Sequence, residues 1–221
     1  MKIFLGFFLA MFMFLHSASA ASQDDVEWML FANPVPSELN GEYRIGVRTN
    51  ESNRSCVLTL YQIRNGYHEK IFSCNGNIGR NGIGKKIAGD NKTPLGIFTM
   101  GNAYGIKDNP GSLIPYEKIT ADLYWRGDSS KSDYNTLGRR SQLPRGTDFS
   151  NDEHLIDYTT VYNYLIDFGY NPEQIPYAGA ALFLHCWYGE GVPTGGCVAI
   201  PEEFMVKILQ TITPGTKMII Y

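Results

Sequence analysis

His185 and Cys197 are the two side chains in this 221-residue sequence whose types and spacing could do chemistry together. His185 closes the apolar run Leu182-Phe183-Leu184, and a buried strand ending in histidine holds its imidazole at the rim of a core. Cys197 follows in the string Thr194-Gly195-Gly196-Cys197-Val198-Ala199-Ile200. An ordinary thiol ionises near pH 8.5, and an imidazole beside it can take its proton and leave a nucleophilic sulfur. The glycine pair lets the backbone turn tightly and frees N–H groups for an oxyanion hole. Cys186 to Gly196 is a loop long enough to bring the two side chains together. Taken alone, such a pair is more often a packed histidine and a structural cysteine.

The surrounding elements must therefore be read for their ability to position it. Met1-Lys2, the apolar run Ile3 to Leu15 and the small residues Ala18-Ser19-Ala20 match a signal peptide, residues 1–20, cleaved after Ala20. The run is shorter than the roughly 20 residues a membrane helix needs, and an uncleaved anchor is the alternative. An exported protein of the periplasm or cell envelope is expected. Residues 21–54 are polar and turn-rich, a lead-in with one short strand at Tyr43 to Val47. Cys56 to Ile63 and Tyr67 to Cys74 read as strands joined at Asn65-Gly66. A three-residue loop, Arg64 to Gly66, sets Cys56 opposite Cys74, where a disulfide would staple the hairpin. A two-residue loop sets Val57 there instead, so bridge and register stand or fall together.

Residues 76–99 are dense in glycine and imply turns rather than helix. Residues 101–150 lack periodicity and read as an insertion or a cover over the site, with Trp125, Arg126, Tyr134 and Asn135 as candidates for a lid. Strands are expected at Tyr162 to Asp167, Ala181 to His185 and Lys217 to Tyr221, and a helix at Pro201 to Gln210. His68 and His154 read as surface residues. No domain boundary is visible within residues 55–221, and no internal repeat. The net charge of −3 offers no electrostatic case for nucleic acid or an anionic membrane as partner.

Several ordered blocks then converge. Gly89-Asp90, Thr93-Pro94-Leu95-Gly96-Ile97-Phe98, His185 and Thr194-Gly195-Gly196-Cys197-Val198-Ala199 resemble the signature blocks of the L,D-transpeptidase (YkuD-like) catalytic domain. Tyr170-Asn171 and Ala178 to His185 are similar to the segment leading into its histidine strand. The resemblance implies a mainly β fold, an L,D-transpeptidase-like β-sandwich with few short helices and a long loop insertion. It implies Cys197 as nucleophile, His185 as base and Gly196 with Cys197 as backbone oxyanion donors. Thr194, Gly195, Trp187 and Tyr188 would then border the substrate. The implied substrates are peptidoglycan stem peptides, with no metal or organic cofactor. A tetrapeptide would lose its terminal D-alanine to an acyl-thioester, which an amine resolves into a cross-link. A carbapenem would acylate the same sulfur. The alternatives are an L,D-carboxypeptidase, in which water replaces the amine, and a catalytically silent wall-binding domain. Three features depart from the family pattern. Gly195 stands where many members have histidine, and Ala199 stands where many have a substrate-seating arginine. The loop from His185 to Cys197 is short, with Cys186 where a small hydroxyl or glycine is frequent.

Overall fold

The computed structural model describes residues 35–221 except Glu51 and Asn53. The signal peptide expected at residues 1–20 and the first part of the lead-in lie outside the described residues. Strands β1 (Tyr43–Asn50), β2 (Ser55–Arg64) and β3 (Tyr67–Asn77) form an antiparallel meander. Cys56, Leu58 and Leu60 alternate onto the buried face of β2. β1 lies within the segment read as a lead-in, yet it is an interior strand. It pairs with β2 on one side and in parallel with β13 (Lys217–Ile220) on the other, which buries Ile45 and Val47 completely.

The hairpin corrects the expected register. Arg64 pairs with Tyr67 across a two-residue turn in which Asn65 and Gly66 adopt φ of 50° and 78°, the geometry that Asn-Gly favours. A bulge then intervenes: Tyr61 pairs with Lys70 but Leu60 with Phe72, leaving Ile71 unpaired. Beyond it Leu58 faces Cys74 and Cys56 faces Gly76. The Cys56 thiol lies over that glycine, where a β-carbon would come within 2.9 Å of the sulfur. The expected Cys56–Cys74 bridge is absent, and all four cysteines are free and buried.

The remaining strands are short: β4 (Gly96–Thr99), β5 (Ala103–Gly105), β6 (Tyr116–Lys118), β7 (Leu123–Trp125), β8 (Leu137–Arg139), β9 (Glu153–His154), β10 (Leu165–Asp167), β11 (Phe183–Cys186) and β12 (Val198–Ile200). Ten strands form one sheet in the order β4-β13-β1-β2-β3-β12-β11-β10-β5-β6, and β8-β7-β9 form a second. The fold is mainly β, as expected. Residues from both halves of the large sheet share one core with the helix α1 (Glu202–Leu209). That helix buries Met205, Ile208 and Leu209 and carries Glu202 and Glu203 in its first turn, where the helix dipole favours them. Tyr162 departs from the expected strand. Val161–Asn163 turn as a short 3-10 segment after Thr160, whose φ is 73°, so β10 begins only at Leu165.

Residues 101–150 are not a loose cover. Trp125 and Arg126 are buried at the end of β7. Arg126 bonds the carboxylates of Asp133 and Asp152, so it is no free cation for a substrate. Asn135 accepts from Trp125 Nε1 at 2.8 Å and from the Ala181 N–H at 3.1 Å, while its amide donates to the carbonyls of Tyr170 and Asn171. The insertion is thus bonded to the segment that feeds β11.

Four titratable thiols follow from this register. Protein purified without reductant and denatured should release four equivalents with a thiol reagent, and recovery of a linked Cys56–Cys74 peptide would contradict the bulged hairpin.

Candidate active site

β11 and β12 run parallel as neighbours, with Leu184 paired to Val198, His185 to Ala199 and Cys186 to Ile200. Side chains alternate along a strand and paired residues share a face, so Cys197, two positions before Ala199, lies on the face of His185. The offset between the two is one two-residue repeat, about 7 Å along the strands. Each is 8 % exposed, and both line the same cleft of about 500 Å³. The two residues that sequence singled out are therefore brought together on one wall.

The sulfur sits in a defined polar setting. The Phe183 N–H donates to Cys197 Sγ at 3.3 Å, and the thiol lies 3.4 Å from the Ala181 carbonyl, which can only accept its proton. The Cys197 carbonyl is held by two hydroxyls, Thr194 Oγ1 at 2.7 Å and Thr93 Oγ1 at 3.3 Å. Thr93 in turn accepts from the Gly79 N–H at 2.8 Å. Thr194 Oγ1 also accepts from the Gly196 N–H at 3.1 Å, so that expected oxyanion donor is already engaged. Within Gly195-Gly196-Cys197, the N–H groups that Thr194 Oγ1 does not engage are those of Gly195 and Cys197.

Gly196 is required by the backbone. Its φ is 137°, and a β-carbon there would meet the Lys92 carbonyl oxygen at 2.8 Å. Gly195 faces open space, with nothing nearer than Asn91 Oδ1 at 3.9 Å.

His185 Nδ1 lies 2.7 Å from the Cys186 carbonyl. A carbonyl accepts only, so Nδ1 carries the proton and Nε2 of the neutral ring keeps a lone pair. The Tyr162 ring packs edge-on to the imidazole with centroids 5.7 Å apart. Burial depresses the His185 pKa to about 4, against the partial support of the Cys186 carbonyl. Burial pushes the Cys197 thiol up to about 12, against the Phe183 N–H that favours the thiolate. The resting pair is neutral thiol and neutral imidazole.

Other expected residues divide. Trp187 and Tyr188 both line the cleft, Tyr188 as an exposed ring on its edge. Asp90 instead braces the glycine-rich loop. It accepts from the backbone of Lys86, Ile87 and Lys92 and pairs with Lys85 at 2.9 Å. Burial would raise its pKa, but those bonds hold it well below the usual carboxylate range. His154 stacks on Tyr124 and bonds Asp157, and the ring nitrogens of His68 are buried without a partner. Sequence reasoning missed Glu153, Tyr162, Arg80 and Lys85, all of which line the cleft. No local pattern marks Glu153, which sits in the polar run Asn151-Asp152-Glu153-His154.

Comparison with known proteins bears on this arrangement. The sequence profile of the YkuD family, the L,D-transpeptidase catalytic domain, matches residues 47–220. No curated protein sequence matches the chain. Among solved structures it is similar to Bd1075 of Bdellovibrio bacteriovorus, at 17% identity and a TM-score of 0.43, over 85% of this chain and 50% of that one. A variant of the helical cell shape determining protein Pgp2 from Campylobacter jejuni is 16% identical with a TM-score of 0.44, over 89% and 53%. L,D-transpeptidase 1 of Mycobacterium tuberculosis is 11% identical with a TM-score of 0.36, over 80% and 62%. The chain spans about half the length of the first two.

The two glycines separate in a simple test. Gly196→Ala should cost on the order of 1–3 kcal/mol of stability and remove activity, whereas Gly195→Ala should melt as wild type. Equal behaviour of the two variants would contradict the tight turn at Gly196. The neutral pair makes a second expectation. With the thiol pKa raised, the thiolate fraction is small at neutral pH and grows tenfold per unit below the pKa. Alkylation of Cys197 by iodoacetamide should climb from about pH 6 to about pH 10, and a plateau between about pH 5 and 8 would reveal a standing thiolate–imidazolium pair instead.

Proposed function

The chain belongs to the L,D-transpeptidase catalytic-domain family, and from that premise we propose that it is a peptidoglycan acyltransferase acting through a Cys197 thioester. What carries the reading is that His185 on β11 and Cys197, the residue just before the parallel strand β12, open on one cleft. Cys197 Sγ attacks the carbonyl that joins the third, diamino residue of a stem tetrapeptide to its terminal D-alanine. The S–C bond forms as the thiol proton passes to His185 Nε2. The C–N bond then breaks, and the same proton leaves with the amine of D-alanine. An amine of a second stem attacks the thioester, its proton passing through His185 back to the sulfur. Water in place of that amine would yield a trimmed tripeptide.

The residues around the pair support this sequence of steps. Proton transfer concerted with attack suits a buried neutral pair, because no thiolate has to stand desolvated and the imidazolium forms only as the oxyanion develops beside it. Gly196 serves through its bend, and the N–H of Cys197 is the nearer candidate for the developing oxyanion. Thr194 holds the turn, while Gly195, Trp187 and Tyr188 border the substrate. Residues 1–20 as a signal peptide and action in the cell envelope belong to the same reading, as does acylation by a carbapenem. Residues 55–221 with β1 would form one catalytic unit.

The test is product analysis by mass spectrometry with disaccharide-tetrapeptides. Wild type should release D-alanine and give cross-linked dimer or tripeptide, which identifies the acceptor. Cys197→Ala should lower the rate by about 1,000-fold or more while keeping its melting transition. Wild-type turnover in that variant would remove Cys197 from the chemistry, and binding without turnover by wild type would favour a silent wall-binding domain.

A further inference from the structure

Glu153 is the one acidic side chain among the described residues that line the cleft. It reaches the cleft from the second sheet, not from the strands that carry Cys197 and His185. β9 holds it opposite Trp125 of β7. Asp152, one residue earlier, is anchored by Arg126 and by the Gly127 N–H at 2.8 Å. Trp125 packs edge-on to Phe183 with centroids 4.8 Å apart, and Phe183 supplies the N–H that meets the Cys197 sulfur. The carboxylate has one protein partner: the Tyr162 hydroxyl donates to Oε2 at 2.8 Å. A carboxylate offers about four acceptor sites, and the bond to Tyr162 uses one of them. Of the two cationic side chains on the cleft wall, Lys85 is paired with Asp90, and Arg80 forms no ion pair with Glu153. Burial has raised the Glu153 pKa to about 7, with the Tyr162 hydroxyl partly offsetting it. The cleft therefore holds a carboxyl group with spare acceptor capacity that no cation among the described residues bonds.

We propose that Glu153 is the ammonium-recognition residue of this cleft, taking the positively charged side-chain amine of a peptide whose carbonyl lies against Cys197. The proposal rests on the reading that Cys197 attacks a stem peptide, and it names the feature of that peptide the enzyme selects. The ammonium enters as the cationic partner that the carboxylate lacks, and a peptide without that charge leaves the half-buried Glu153 with only the Tyr162 hydroxyl. Selection by an unmatched buried group is stronger than selection by added apolar contact. The Tyr162 hydroxyl fixes which carboxylate oxygen remains available.

Two measurements test this with Glu153→Gln, whose amide oxygen still accepts from Tyr162. The first uses peptides: a tetrapeptide with a free side-chain amine against its N-acetylated form. Wild type should prefer the free amine by at least about 10-fold in kcat/KM, chiefly through KM, and E153Q should reduce that preference to below about 3-fold, since removing the charge removes the coupling. An unchanged preference in E153Q would overturn the proposal. The second needs no turnover. At about pH 8.5, the rates at which a cationic and an anionic methanethiosulfonate modify Cys197 are compared, with the site assigned by peptide mapping. The cationic-to-anionic ratio should exceed one in wild type and fall at least about 5-fold in E153Q, because one charge close to the sulfur is removed. A wild-type ratio below one, or the same ratio in E153Q, would overturn the proposal. If wild type turned over neither peptide, the functional reading would fail, and the reagent ratio would still decide whether Glu153 receives cations.

Discussion

The parallel pairing of β11 with β12 is the constraint on which the site depends. It places His185 beside Ala199 and so sets Cys197 on the histidine face, one repeat away. A parallel connection requires a crossover, and here the short loop from Trp187 to Gly196 provides it. That loop is tied to the third strand by Asn77, whose side chain bonds the Gly189 carbonyl and the Gly191 N–H. The Thr194 and Thr93 hydroxyls then close on the Cys197 carbonyl. A register slip of one residue would turn Cys197 to the opposite face, so these ties protect the chemistry as well as the fold.

Burial sets the second condition. The sulfur and the imidazole are both enclosed, and desolvation drives each toward its neutral form. A site of this kind is quiet in the absence of substrate, which limits adventitious oxidation of the thiol. Its reactivity has to come from the arrival of a polarised carbonyl and from donors positioned for the oxyanion. The His185 tautomer, fixed by the Cys186 carbonyl, leaves the lone pair of the neutral ring on Nε2. The second sheet contributes through Trp125 and Glu153, so the insertion is part of the cleft wall and not a cover over it.

The legible part of this arrangement was the part carried by rare residue types in ordered blocks. A histidine ending an apolar run and a cysteine after paired glycines are local features, and both residues line one cleft. The helix after Pro201 and the final strand were visible for the same reason, through their periodicity. What escaped detection depends on distant partners. Arg126 reads as a free cation until Asp133 and Asp152 fold onto it. Glu153 reads as one more charge in a polar loop until β9 pairs with β7. The hairpin failed differently: Asn65-Gly66 signalled the turn, but the two-residue turn shifted the register by one and the extra residue at Ile71 by one more, which set Cys56 opposite Gly76. A bulge leaves almost no trace in an alternating pattern, and a two-residue error in register is enough to undo a disulfide.

The central claim is that Cys197 carries the acyl group, and trapping that adduct tests it most directly. Protein mixed with stem tetrapeptide and quenched in acid within the first turnover should gain the mass of the peptide less D-alanine. Digestion should locate the added mass on Cys197, and hydroxylamine should release it, as expected of a thioester. An adduct on Cys56, Cys74 or Cys186, or rapid D-alanine release with no covalent species at any time point, would contradict the account.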